Sequence, residues 1–350
     1  MPKDFLIVGQ GLAGSFLAWH LLKRGQTVVI VDDAHADCSS FAAAGMINPI
    51  TGKRLVLSPR CERLLPFAKS AYRELEQQFH QTFFEPKDII RLFRDDKERK
   101  AWERKRAVTH LKEYYGDRMP PGSYGKAIND ALGSFLIRQG GYCRTGELMQ
   151  CFTDFFRSRD CLVNARFRHE ELELDEGRVS WRGQNFDRVI FSEGYQAKDN
   201  PFFSWLPYNL AKGEILTLGL DEPLLPDTVI SCGKWCIPLA PGQYTVGSTY
   251  GWDRFDCRVT GQAQDEILSA ISHFLRVPFR VLDHAAGVRP IVKDLKPAMG
   301  LHPRHRQVAI FNGLASKGLL WGPFYARQMT RFLLDDEPLE AEVSIDRFNK

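Results

Sequence analysis

Apolar and polar positions fall into blocks along the chain, and the first block is the sharpest. Phe5-Leu6-Ile7-Val8 is an unbroken apolar run, the pattern of a parallel strand buried on both faces. Gly9-Gln10-Gly11-Leu12-Ala13-Gly14 follows, and Ala13, Phe16, Leu17 and Leu21 then recur at helical spacing. Gly25 closes that helix at the C′ position glycine favours. Thr27 to Val31 is a second buried run, with Asp32 at its end. The order is strand, turn, helix, strand.

Residues 60–115 read as mostly helical, with Leu64, Leu65, Ala68, Ala71, Tyr72, Leu75 and Phe79 on one face. Within them, Asp95–Arg106 is a run of interspersed positive and negative charge, the pattern of a solvated helix face. After Pro120-Pro121 the pattern turns to strands, at 161–165, 179–181 and 188–192. Further strands are predicted over 214–218, 229–232, 235–239 and 244–249, with Pro241-Gly242 as a hairpin turn. A helix over 262–276 stops before Pro278. A strand at 308–311, a glycine-containing turn over 312–318 and a long helix over 319–334 follow. There is no internal repeat or low-complexity segment. A chain that is α/β, then β-rich, then α/β again predicts a Rossmann-type nucleotide-binding domain interleaved with an antiparallel β-rich α+β domain.

Composition narrows the class. At 350 residues, 44% apolar and 26% charged, the chain is an ordinary globular protein of about two domains, which excludes disorder and collagen. The net charge of +4 is too mild to announce a nucleic-acid binder. The eight cysteines, Cys38 among them, include no C-x-x-C and are too sparse for a disulfide scaffold, so reduced thiols and a cytoplasmic protein are expected. No apolar run reaches the roughly 18 residues a membrane span needs. The apolar run after Met1-Pro2-Lys3-Asp4 leads into glycines, unlike a signal peptide.

The glycine motif carries the first chemistry. Gly9 permits a tight turn, Gly11 lets a pyrophosphate approach the backbone, and Gly14 allows the helix to pack on the strand. The helix start offers free N–H groups and partial positive charge. Asp32 stands 18 residues beyond Gly14, where a carboxylate can hold an adenosine ribose. An acid there argues against a 2′-phosphate. The expected dinucleotide contacts are Gly9, Gly11, Leu12, Ala13, Gly14, Asp32 and Asp33.

Three further segments resemble the D-amino-acid-oxidase superfamily of flavoproteins, the group of glycine oxidase and monomeric sarcosine oxidase. Ser39-Ser40-Phe41-Ala42-Ala43-Ala44-Gly45-Met46 resembles the small-residue loop beside the flavin. Ala211-Lys212-Gly213-Glu214 is similar to the opening of the family's substrate domain, and Trp235–Leu239 and Tyr244–Thr249 follow in family order. Ala286-Gly287-Val288-Arg289-Pro290, then Asp294, Pro297, Gly300 and 312–323, resemble its Gly-x-Arg-Pro segment and closing flavin turn.

The resemblance implies non-covalent FAD. To the contacts above it adds Ser39, Ser40, Ala44, Gly45, Met46, Val163, Gly194, Arg289, Ala315, Ser316, Lys317, Gly318 and Leu319. It assigns 1–80, 141–210 and 285–350 to the FAD-binding domain and 81–140 and 211–284 to the substrate domain. It implies oxidation of the C–N bond of a small amine or amino acid to an imine, by hydride transfer to flavin N5. O2 is the expected electron acceptor, with another acceptor open. Arg289 is then the clamp for a substrate carboxylate, a role its planar fork suits. Trp235 stands where glycine oxidase has a substrate-facing Tyr, and it lacks the phenol O–H. Lys317 adds positive charge near the flavin, while Trp321 and Tyr325 are packing residues.

Two features depart from the family. Glu193 precedes Gly194 where a small residue is usual, and a buried carboxylate needs a partner. The last cysteine is Cys257, so the covalent cysteine linkage of some sarcosine oxidases is absent. No acid–base triad stands out: His20 is a packing or surface residue, and His284, His302 and His305 lie in no motif. Two alternatives stay open. One is a tRNA wobble-uridine-modifying flavoenzyme, against which the mild charge speaks. The other is a non-catalytic flavin-binding protein.

Overall fold

The computed structural model describes residues 4–34, 39–108, 111–175, 177–224 and 228–349. Asp4–Val8 lies inside a six-stranded sheet because it is apolar on both faces, with Phe5, Leu6 and Ile7 fully buried. Thr27–Asp32 pairs parallel on one side and Arg188–Phe191 on the other. Leu162–Asn164 and Val308–Asn312 extend the parallel order outward, and Ala298–Leu301 adds an antiparallel edge. Helix Leu12–Lys23 connects the first two strands, and helix Gly318–Asp335 packs along it. This is the Rossmann-type sheet the sequence predicts.

The two helices meet through glycine. A Cβ on Gly318 would stand 2.9 Å from Leu12 Cδ1, and one on Gly322 would stand 2.8 Å from Phe16 Cδ2. The helix starts therefore lie side by side. Gly14 is the tightest point of the motif, since a Cβ there would fall 1.9 Å from the Gly9 carbonyl oxygen.

The second sheet has eight strands. Edge to edge they are Phe279–Arg289, Ala211–Leu220, Gln243–Gly247, Lys234–Ala240, Val229–Cys232, Ile89–Leu92, Ser134–Ile137 and Tyr115–Met119. All neighbours are antiparallel except Val229–Cys232 with Ile89–Leu92. Alternation gives the sheet two faces. Leu216, Leu218 and Val246 pack with Ile267 and Ile271 of helix Gly261–Ser272, while Gly213 and Ile215 turn to a cavity on the other side.

The structure departs from the pattern reading in places. Residues 60–115 are helical over Cys61–Phe79 and Asp96–Arg106, but Phe84–Pro86 and Ile89–Leu92 between them are strands. Four residues are too few to show a period against flanking helices. Helix Thr145–Arg157 and strand Phe279–Arg289 are additional elements. That strand is a sheet edge with several exposed residues, which hides its alternation, and it runs unbroken across the expected boundary at 284/285. Cys38 lies outside the described residues, and Cys61, Cys143, Cys151, Cys161, Cys232 and Cys236 are free thiols. Among the described residues no helix is long and apolar enough to cross a membrane.

Gly14→Ala forces the first helix away from the Gly9 carbonyl. Thermal unfolding should show a loss of about 1–3 kcal/mol, the usual cost of overpacking. Wild-type stability in that variant would contradict the packing described.

Candidate active site

A cavity of about 1370 Å³ lies where the two sheets face each other. Ordinary small-molecule pockets hold roughly 300–1,000 Å³, so this one has room for a dinucleotide and a small co-reactant. Gly9, Gly11, Leu12, Ala13, Asp32, Asp33, Ser39, Ser40, Ala44, Gly45, Met46 and Gly194 line it. Ala315, Ser316, Lys317, Gly318 and Leu319 line it too, as do Trp235 and Arg289. Two of the expected contacts do not. Gly14 sits beneath the turn, and Val163 is held in the sheet opposite Val31, while Ala165 and Phe167 beyond it reach the cavity.

At one end, Gly9 adopts φ +99°, and a Cβ there would stand 2.5 Å from the Ser192 carbonyl oxygen. Only glycine suits that turn. Asp32 Oδ2 accepts from Gln10 N at 2.8 Å, fixing the acid beside the turn. Ser40 Oγ accepts from Leu12 N at 3.1 Å, which folds the small-residue loop over the helix start. Neither Leu12–Lys23 nor Gly318–Asp335 has an acid in its first turn, so both positive dipole ends serve the cavity unopposed. The carboxy-terminal turn is tied in place by Asn312 Nδ2, which donates to Gly194 O at 2.8 Å, and by Ala315 N, which donates to Pro290 O at 3.3 Å. Lys317 is half-buried and has no ion pair among the described residues, and desolvation lowers its pKa below the ordinary lysine value. A glycine turn on a helix start, an acid after the second strand and a second helix start fit FAD.

The other end is built on the large sheet. The Arg289 guanidinium lies over Gly213, where a Cβ would come within 2.1 Å of Nη2. Its Nη2 donates to Ser248 Oγ at 2.8 Å and its Nη1 to Thr249 O at 3.3 Å, with the Tyr250 ring 4.2 Å from Cζ. Among the described residues no carboxylate pairs with it. Desolvation pulls its pKa below the ordinary arginine value, with Tyr250 opposing. The loop bearing Tyr250 is bolted down from strand Ala211–Leu220. Lys212 Nζ donates to Asp256 Oδ1 at 2.7 Å, and Glu214 accepts from Thr260 N at 2.8 Å and from its hydroxyl at 2.9 Å.

Trp235 stands on the cavity face in register with Ser231, which pairs in turn with Arg91. Arg91, Ser248 and Tyr250 were not singled out by sequence. Tyr250 had one available signal, an aromatic immediately beyond the expected strand 244–249.

Glu193 finds its partners here. Its Oε1 stands 2.9 Å from His169 Nε2, and its Oε2 accepts from Asn200 Nδ2 at 2.7 Å. The hydrogen bond to Glu193 raises the His169 pKa above 6.5 against desolvation. His20 is half-buried on the first helix, and desolvation pushes its pKa down to about 4, as suits a neutral packing residue. His284, His302 and His305 do not line the cavity, and among the described residues no cysteine does.

A Rossmann-type sheet with these two helix starts, facing a substrate-sized recess, defines a dinucleotide-dependent oxidoreductase. The chain matches the DAO family model, FAD dependent oxidoreductase, over residues 4–332, and it belongs to that family. It is thus an FAD-dependent oxidoreductase, which sets aside the alternative of non-catalytic flavin binding. It is 25% identical to the glycine oxidase of Pseudomonas putida over 97% of this chain and 96% of that protein. The tRNA 5-methylaminomethyl-2-thiouridine biosynthesis bifunctional protein MnmC of Marinobacter nauticus is 22% identical over 93% of this chain, which spans 54% of that protein. The crystal structure of iminodiacetate oxidase from Chelativorans sp. BNC1 shares the fold, with a TM-score of 0.81 at 22% identity over 97% of this chain and 99% of that one.

A raised histidine pKa means the His169–Glu193 pair stabilises fully below pH 6.5 and loses its ionic part as pH rises through the raised value. Glu193→Gln should therefore cost about 1.5–3 kcal/mol near pH 6 and distinctly less near pH 9, read by thermal unfolding. An equal loss at both pH values would contradict the pairing.

Proposed function

We propose that this chain oxidises the C–N bond of a small amine or amino acid bearing a carboxylate, which Arg289 anchors. The observation that carries this reading is the half-buried guanidinium, without an acid partner among the described residues, facing a cavity that also admits the cofactor. Holding a charge partly out of water is costly unless an opposite charge meets it, so the half-buried Arg289 favours an anion. Glycine and iminodiacetate, the compounds in the names of two relatives, each place a carboxylate beside the nitrogen.

Bound FAD supplies a two-electron acceptor for the hydride on the carbon next to nitrogen. The protein's share is orientation. Arg289 fixes the carboxylate, Gly213 keeps room for the guanidinium, and Ser248 and Thr249 aim it. Trp235 and Tyr250 form aromatic walls of the recess, and Tyr250 brings the phenol that Trp235 lacks. A neutral amine held this way needs no strong base. We further propose O2 as the acceptor, which leaves as H2O2 while the substrate leaves as the imine. The half-buried Lys317 ammonium supports this by favouring negative charge near it. Segments 1–80, 141–210 and 285–350 would hold FAD and 81–140 and 211–284 the substrate, with strand Phe279–Arg289 spanning both parts. We further propose that FAD is held without a covalent bond.

The test is an anaerobic titration of the yellow protein with glycine, sarcosine, proline, D-amino acids and amines lacking a carboxylate. Only carboxylate-bearing amines should bleach it at low concentration. Arg289→Met should raise the half-saturating concentration at least about 30-fold, since breaking such a pair costs 2–5 kcal/mol. Unchanged affinity would overturn the anchor.

A further inference from the structure

A second cleft, of about 840 Å³, opens beside the cavity. One wall carries Lys53, Arg54 and Val56. The other is Arg94 and helix Asp96–Arg106, which presents Lys97, Ala101, Arg104 and Lys105. Those positions share one helical face. Of the four acids in the run 95–106, Asp95 and Glu98 also line the cleft, while Asp96 and Glu103 do not. Asp96 and Glu103 are spent on Arg99, with oxygens 3.0 and 3.1 Å from its guanidinium. Asp95 accepts from Glu98 N at 2.7 Å as the helix cap. Glu98 is buried between Arg91 and Arg94. Lys53, Arg54, Lys97, Arg104 and Lys105 have no ion pair among the described residues.

The cleft and the cavity share a rim. Thr51 and Gly52 line the cavity, and Lys53 and Arg54, the next two residues, line the cleft. Arg91 faces the cavity and Arg94 the cleft, and both bond Glu98.

One carboxylate needs one clamp, whereas unpaired cations on two facing walls match a ligand with repeating negative charge. A protein partner needs an apolar anchor, and the cleft offers only Val56 and Ala101. A bilayer surface is broad and flat, and these cations line a recess. Phosphate-backbone binding is dominated by charge and needs no apolar anchor. We propose that this cleft binds the phosphate backbone of a nucleic-acid strand at the mouth of the active-site cavity. The proposal stands whatever amine the cavity takes.

The test uses the FAD-loaded protein and unfractionated tRNA labelled with a fluorophore, with binding followed by anisotropy between 50 and 300 mM salt. Polyglutamate and vesicles containing phosphatidylserine serve as competitors. Binding should weaken steeply with salt, with a log–log slope of about −3 to −4 for four or five phosphate contacts. Lys97→Ala with Arg104→Ala, both on the exposed helix face, should weaken binding at least tenfold and flatten the slope by about 2. Flavin content and melting temperature should stay at wild-type values. Absence of salt-sensitive binding at 50 mM salt would overturn the proposal. So would unchanged binding by the double variant, or preferential capture of polyglutamate or vesicles.

Discussion

A guanidinium held partly out of water, without a carboxylate among the described residues, is the constraint around which this molecule is arranged. Arg289 ends the edge strand Phe279–Arg289, and its charge lies over Gly213 of the neighbouring strand because that position has no side chain. Two oxygens and one aromatic ring hold it, and none is an anion. Lys212 and Glu214 stand on either side of Gly213 in the same strand and fasten the loop that brings Tyr250 over the guanidinium. One short segment thus makes the space, braces the cover and leaves the charge unanswered. Such an arrangement is costly in an empty protein and favourable once an anion arrives.

The cofactor end obeys a different rule, close approach of backbone. Gly14 lets the first helix touch the turn, Gly9 turns against Ser192, and Gly318 and Gly322 let the last helix settle on Leu12 and Phe16. Two helix starts from opposite ends of the chain then lie together, because strand Val308–Asn312 returns to the sheet that Asp4–Val8 began. This return is why an interleaved order along the chain matters to function. The first turn and the closing turn can address one elongated ligand only if the sheet is completed late.

Legibility followed the locality of the signal. The turn Gly9–Gly14, the acid at Asp32 and the buried strands around them are set by neighbours within one supersecondary unit, so they can be read in the sequence. Arg289, Trp235 and Lys317 were reachable through family resemblance, and the fold gathers them on one cavity. The partners of Glu193 were hidden because His169 is 24 residues away in the chain and is brought beside it only by the fold. Arg91 depends on sheet register, which no local pattern encodes, and Tyr250 lies on a loop placed by Lys212 and Glu214 of another strand. The charge run 95–106 was legible as a solvated helix face, since helix Asp96–Arg106 buries only Glu98 and Trp102, but which charges share a face depends on the helical repeat. Val163 is paired with Val31 in the sheet, and the cavity lining on this stretch starts two residues further on, at Ala165.

Catalysis of this kind requires an anion to bind at Arg289 close enough to affect the bound cofactor. The most direct measurement is the visible difference spectrum of the FAD-loaded protein titrated with acetate, which is an unreactive carboxylate. A saturable shift of the flavin bands is predicted for the native protein, with none in an Arg289→Met variant of equal flavin content. The same shift in both proteins, or none in the native one, would contradict it.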